Sequence, residues 1–310
     1  MPLKQFICPD EGRQDVSECL SGKCRMGNRC APLGYLRRAG ATRPWKGETS
    51  ATQCLNGTRE EFLKITTDYA IKPGSRAFAV LGTRSHADLQ AAGEEDDWSF
   101  VEERLRDEIG SGQFDTIELQ EDGTWWLIDY KTSASFKLRK AIGIHSVKVP
   151  MKDENGNQVF YLKSGKGYKK GDPRMETVYQ RGGEQDCMDW AMQFNRNRML
   201  VEKSLNIKIA KLKCFAIPRD GGLATVKIIG QTEYFEIPFI ADEVVTEYYR
   251  TKSRALIAAV ELGELPPPCN ADECWGGNKC RKYCDVREKC VELGCPWLAE
   301  KPEGEDEDGQ

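Results

Sequence analysis

The chain has 310 residues, 39% of them apolar and 30% charged, and a net charge of −4. That length suits about two domains with a packed core, and the sequence reads as a soluble globular protein. No run reaches the roughly 18–20 apolar residues of a membrane span, the N-terminus MPLKQFICPDEG lacks a signal-peptide core, and the negative balance supplies no global attraction for nucleic acid, so such a site would need local basic patches. Thirteen cysteines are present, four in the first 30 residues and six in Cys269–Cys295. An odd number in short-spaced clusters without a secretion signal favours metal ligation over disulfides and places the chain in a reducing cytoplasm.

In chain order, residues 1–50 form a first segment. Cys8, Cys19, Cys24 and Cys30 lie on a Gly/Asp/Asn-rich stretch and suit a tetrahedral zinc site. With little apolar content there, the metal would supply the folding energy; the alternative is a set of reduced thiols in a loop. A Pro/Gly-bearing connector covers 31–57. Residues 58–72 are predicted helical, with Thr58 as cap, Glu60 and Glu61 in the first turn, and Phe62, Leu63, Ile65 and Tyr69 apolar. After Pro73-Gly74 a second helix is expected to about Ala92, with Phe78, Val80 and Leu81 apolar. It carries His86, one of two histidines. Glu94–Asp97 reads as an acidic loop, and Trp98–Asp107, with Glu102 and Glu103, leads into the next strand.

Gly112–Lys131, GQFDTIELQEDGTWWLIDYK, reads as strand, tight turn and strand. Side chains two apart on a strand share a face, so Asp129 and Lys131 project together. A connecting loop with an odd number of residues would put Asp115 on that face as well, and a two-residue Asp-Gly loop would put it on the other. A catalytic role therefore predicts a three-residue loop with Gly123 left-handed. The other reading of the motif is a solvated acidic strand end.

Thr132–Lys140, with Lys137, Arg139 and Lys140, opens a helix whose basic side chains could meet phosphates. Residues 145–183 read as an insertion with an Asn-Gly hairpin signal. Lysines 163, 166, 169 and 170 there are interleaved with Tyr161, Tyr168 and Tyr179, the composition of a single-strand-binding flap or of an ordinary solvated insertion. Glu184–Asn206 is an amphipathic helix with Met188, Ala191, Met192, Leu200 and Leu205 on one side; it carries Gln193, Asn195 and Arg198. Residues 207–239 alternate as two or three strands, and Asp242–Leu262 is a further helix ended by Pro266–Pro268. In the last cluster, Cys269, Cys280, Cys284 and Cys290 nearly repeat the N-terminal spacing and suit zinc or an iron–sulfur cluster. Residues 299–310 are an acidic, disordered tail.

The GxxD of Gly112–Asp115 followed by the D-x-K of Asp129–Lys131 resembles the PD-(D/E)XK nuclease superfamily. The IDYKT form is most like its RecB-like branch, which includes CRISPR-associated RecB-like exonucleases and phage-encoded relatives. The resemblance spans roughly 50–295. It implies an α/β restriction-endonuclease-like core, a central mixed sheet flanked by helices, over 51–265, with the insertion at 145–183 and metal-binding segments at 1–50 and 266–298. It makes His86 a metal ligand, since that branch carries a histidine on a helix upstream of GxxD. Cys54 becomes an alternative iron–sulfur ligand, a buried apolar cysteine being the other reading. Gln193 matches the first position of a Q-x3-Y helix motif whose tyrosine position is Asn197 here; Asn195 and Arg198 fit a variant associated with phage relatives.

The function implied is a metal-dependent DNA exonuclease acting on single-stranded or end-bearing DNA. Asp115, Asp129, His86 and the Tyr130 carbonyl would hold Mg²⁺ or Mn²⁺, Lys131 would act on the water and the transition state, and Gln193 would position the phosphate or the lysine. Asn195, Arg198, Lys137, Lys169 and Lys170 would contact DNA, and recombination or replication proteins would be partners. A structure-specific endonuclease and a non-catalytic binding module on a nuclease fold stand as alternatives.

Overall fold

The structure, a computed structural model, describes residues 3–93, 99–101, 103–220 and 226–298. The chain opens with strands β1 (Leu3–Ile7) and β2 (Arg13–Asp15), helices α1 (Val16–Leu20), α2 (Leu33–Ala39), α3 (Ala51–Leu55) and α4 (Thr58–Thr66), strand β3 (Tyr69–Ile71) and helix α5 (Ala77–Gly93). Strands β4 (Ser99–Val101), β5 (Arg104–Arg106), β6 (Ser111–Gln113), β7 (Thr116–Leu119) and β8 (Trp125–Ser133) follow, then α6 (Ser135–Ala141), β9 (His145–Pro150) and β10 (Met175–Gln180). The remainder is α7 (Met188–Leu205), β11 (Ile209–Pro218), α8 (Val226–Ile229), β12 (Glu233–Ile237), α9 (Asp242–Leu262), α10 (Asn278–Lys282) and α11 (Arg287–Glu292). This is a mixed α/β chain whose central sheet runs β12-β11-β8-β7-β4 and is flanked by helices. Among the described residues no helix is long and apolar enough to cross a membrane.

The chain divides into two compact units, one of residues 1–129, 191–212 and 238–310, the other of residues 130–190 and 213–237. The cysteine-bearing segments 1–50 and 266–298 fall in the first, and the 145–183 insertion in the second.

In the first unit, β1 pairs antiparallel with β2 and parallel with β3. The N-terminal segment is not the apolar-poor loop expected from its sequence. Leu3, Phe6 and Cys19 are buried with Leu36, Ala39 and Ile71, so burial of apolar surface contributes to ordering this region. Helix α3 begins at Ser50 with a capping box, Ser50 accepting from the Gln53 amide while Gln53 accepts from the Ser50 amide. Helix α4 stops at Thr66, where Thr67 turns extended, and Tyr69 belongs to a strand. Phe62 and Leu63 pack with Leu256 and Ala259 of α9, but Phe78 and Leu81 on α5 are exposed. Helix α9 covers the expected Asp242–Leu262 and ends on Gly263 at φ 68°, a left-handed cap that favours glycine. Helix α7 is buried on more than one face: Ala191, Phe194, Leu200 and Val201 are all enclosed, while Met188 is 66% exposed.

In the second unit, α6 begins where Asp220 accepts from both the amide and the hydroxyl of Ser135, each at 2.8 Å. Strands β9 and β10 form an antiparallel ribbon in continuous register from His145↔Gln180 to Pro150↔Met175. The stretch expected as a strand around TVKIIG holds the short helix α8 instead. Four residues around an isoleucine pair carry no usable period, and a short apolar run does not distinguish strand from helix. Glu94–Asp97, Glu102 and the acidic tail lie outside the described residues.

Candidate active site

Strands β7 and β8 pair antiparallel with Thr116 opposite Ile128 and Leu119 opposite Trp125. The next rung is Gln120 with Thr124, whose carbonyl accepts from the Gln120 amide at 2.8 Å. Glu121–Gly123 are thus a three-residue loop, and Gly123 is left-handed at φ 79°. At the other end the ladder stops at Thr116 opposite Ile128, and Asp115 sits in a bend just before β7. The loop thus has the odd length and the left-handed Gly123 that the catalytic reading asks for, and Asp129 lies in β8 one residue beyond the last paired rung. Lys131 follows two residues later in β8 and is half-buried. Tyr130 lies between them, its ring edge-on to Phe215.

His86 comes to this pair from α5. Its Nδ1 is 3.2 Å from Asp115 Oδ1, across 29 residues of sequence. Asp129 is 2% exposed and the Asp115 side chain 14%. Carboxylates and an imidazole are the donor types that suit Mg²⁺ or Mn²⁺. Among the described residues, no group of three or more His, Cys, Asp or Glu side chains stands as a preassembled metal-ligand set. Further donors would therefore come from water, substrate or backbone, as is common for Mg²⁺.

The stretch expected as one strand from Gly112 to Gln120 is broken: Gly112 and Gln113 belong to β6, paired with β5, and Asp115 lies in the bend before β7; α7 packs against the β6 part. Asn197 Nδ2 donates to the Gln113 carbonyl at 2.8 Å. A Cβ at Gly112 would lie 2.5 Å from Asn197 Oδ1 and 2.6 Å from a Leu200 methyl. Glycine is needed here for close approach of strand to helix. Gly112→Ala is expected to cost about 1–3 kcal/mol by overpacking, read as a lowered thermal midpoint. Gln193 is half-buried one helical turn before Asn197, on the same face of α7. The position of the absent tyrosine is thus occupied by a buried brace for the motif.

Two predicted DNA contacts are corrected. Asn195 is fully buried; its amide donates to the carbonyls of Ala191 and Pro238, and its oxygen accepts from the Ile240 amide. Arg198 is 3% exposed, paired with Glu202 and Asp242 and stacked over Phe239. Both tie α7 to the 238–242 segment and are out of reach of a polynucleotide. Sequence pattern missed this because polar residues on an amphipathic helix normally face solvent. Lys137 is paired with Asp189 at 2.5 Å and sits over the Trp190 ring. Lys169 and Lys170 are exposed in the second unit. Glu103 is exposed as well.

The strongest feature missed is Arg196. It is 2% exposed and its guanidinium grips the Asp107 carboxylate twice, at 2.8 and 2.5 Å, and the Gly110 carbonyl at 3.2 Å. The run NRNR between apolar residues on every side of the helix was the available signal.

The C-terminal cysteines converge. Cys269, Cys280, Cys284 and Cys290, joined by Cys274 and Cys295, line one narrow cavity with Glu60. Burial, then the neighbouring thiols, pushes the Cys280 thiol up; burial, then Glu60, takes Cys284 to about 12; burial, then Cys295, takes Cys290 to about 11. Glu60 is paired with Lys64 and Lys279, each at 2.6 Å. Cys54 is not part of this cavity. It is 3% exposed among Ala51, Met192, Val245 and Tyr249, which makes it a core residue. At the N-terminus, Cys8 and Cys19 are buried while Cys30 is exposed. Burial raises the Cys19 thiol most, with smaller contributions from Cys24, Cys30 and Cys8.

Comparison with known proteins adds little. No family model and no curated protein matches the chain. A solved structure described as "Crystal structure of SSO0001" aligns over 86% of this chain and 95% of its own, at 14% identity and a TM-score of 0.42.

Proposed function

We propose that the chain is a metal-dependent nuclease of the PD-(D/E)XK type that hydrolyses DNA phosphodiester bonds, most readily in single-stranded or end-bearing DNA. The observation that supports this reading is the meeting of His86 with Asp115, with Asp115 just before β7 and Asp129 in β8 both adjoining the Thr116–Ile128 end of the ladder. A lysine two residues on supplies the third element of the motif.

In this reading Asp115, Asp129 and His86 hold the cation and the Tyr130 carbonyl completes the protein ligands. Mg²⁺ or Mn²⁺ bound there supplies positive charge against the phosphate and lowers the pKa of a coordinated water. The pairing of Asp115 with His86 fixes the carboxylate's orientation, the usual task of a partner to a ligand. Lys131 orients the attacking water and stabilises charge developing on the phosphate oxygens. Gln193, on the helix face that braces GxxD, positions the substrate phosphate or the lysine. The cysteine-lined cavity takes zinc or an iron–sulfur cluster as a structural staple, its thiolates suiting either.

The test is cleavage of end-labelled linear single-stranded, linear duplex, flapped and circular DNA by purified protein with Mg²⁺ or Mn²⁺. Cleavage of linear substrates that spares circles is expected. Cutting of circles would move the assignment to an endonuclease, and no cleavage of any substrate would overturn the enzymatic reading. A separate expectation concerns the staple. Anaerobically purified protein should carry zinc or a brown iron–sulfur chromophore, and Cys280→Ser with Cys284→Ser should remove that metal and lower the thermal midpoint. Metal content unchanged by the substitutions would dismiss these ligands.

A further inference from the structure

The β9–β10 ribbon carries an elaborated tip over residues 160–174, FYLKSGKGYKKGDPR. We propose that this tip binds single-stranded nucleic acid. It contains Lys163, Lys166, Lys169, Lys170 and Arg174 against one acid, Asp172, a net +4 in a chain whose total is −4. The acid is turned inward, since the Lys169 amide donates to its carboxylate at 2.6 Å. All four lysines are exposed, and among the described residues no ion pair is recorded for any of them.

The tip is a built structure. Phe160 bridges Pro173, Gly165 bridges Tyr168, the Tyr161 amide donates to Asp172, and the Gly171 amide donates back to Tyr161. Tyr161 and Tyr168 stack at 3.9 Å with 18° between their planes, and Arg174 lies over Tyr161. This column spaces the lysines and limits the entropy lost on binding. Around it Leu162 is 84% exposed, Phe160 47% and Tyr168 37%. Apolar and aromatic surface in water between lysines is the combination that takes a flexible strand, with ammonium groups on phosphates and rings on unpaired bases. A duplex keeps its bases stacked and offers those rings nothing. The inference deepens the nuclease reading and rests on it only for the fate of the bound strand.

The experiment is fluorescence anisotropy with a labelled thymidine oligonucleotide longer than the ~4–16 nucleotides such sites cover. It uses the full chain carrying Lys131→Ala, in EDTA, so that cleavage plays no part. Replacing Lys163, Lys166, Lys169 and Lys170 by Ser is expected to weaken binding at least tenfold. It should also make the slope of log affinity against log salt shallower by about 2–3, at roughly 0.7 per lost phosphate contact. Phe160→Ala with Leu162→Ala should weaken binding several-fold and leave the slope unchanged. Unchanged thermal midpoints show that the variants fold. Affinity within twofold of the parent overturns the proposal. So does equal loss of binding to polyglutamate, or a preference for duplex. Failure of the nuclease reading shows separately, as absent cleavage by the unsubstituted protein in Mg²⁺.

Discussion

Asp129→Asn is expected to lower metal-dependent DNA cleavage by about 10³-fold or more while the protein keeps its fold, and Lys131→Ala by about 10²–10³-fold, the scale of losing one preorganised charge in an active site. Asn fills the same volume in a site that is 2% exposed, so packing is conserved and only the negative charge is lost. Without it, Asp115 and the His86 imidazole are a weaker donor set for a divalent cation, and the metal concentration for half-maximal activity should rise. Lys131 is no metal ligand in this scheme. Its replacement should leave that concentration unchanged and lower the rate at saturating metal. Initial rates across a Mg²⁺ and Mn²⁺ titration, beside circular dichroism and thermal midpoints, check both. Cleavage within tenfold of the unsubstituted protein in either variant removes that residue from the catalytic assignment.

The second large effect is on stability. Arg196→Ala is expected to destabilise the chain by about 3–5 kcal/mol, the range for removing one partner of a buried ion pair. The loss is more than Coulombic. Asp107 would stay beneath the helix with no cation, and the Gly110 carbonyl would lose a donor. Burial by itself raises the Asp107 carboxyl, but the Arg196 guanidinium and the amides of Ile109 and Gly110 outweigh it, so its pKa lies below the ordinary value. A carboxyl depressed on folding contributes stability that is fully present above its unfolded pKa of about 3.9 and fades as pH falls through the folded value. The native protein should therefore lose stability as pH drops below about 4, and Arg196→Ala should flatten that acid limb while lowering the whole curve. Urea unfolding between pH 3 and about pH 7 reads both. A variant within about 1 kcal/mol of the parent would show that the pair is dispensable. Because Arg196 is enclosed, its loss should change DNA affinity only through unfolding.

The β7–β8 hairpin was legible because its information is local. β-forming residues and an Asp-Gly turn signal suffice to place its two strands, and Gly123 takes the left-handed conformation expected of a three-residue loop. The span of α9 was equally readable, since its stop is written in Gly263 and the prolines after it. His86 could be nominated from resemblance but not placed. Its approach to Asp115 depends on how α5 packs, which no spacing encodes.

The polar run on α7 marks the limit in the other direction. Asn195 and Arg198 are expected to meet DNA through their fit to a motif variant of phage relatives, yet with Arg196 and Asn197 they are buried. Their burial is a property of what covers the helix, namely the 107–113 and 238–242 segments, and each of the four residues bonds a backbone or carboxylate group 43 to 89 residues away.

What the sequence by itself determined is the identity and facing of the groups at the hairpin, since strand pleat and loop parity are short-range geometry. Which histidine meets the aspartate and which arginine is entombed were decided only in three dimensions, because they depend on segments 29 and 89 residues apart closing on one another, a choice made by burial of the whole core and by no local preference.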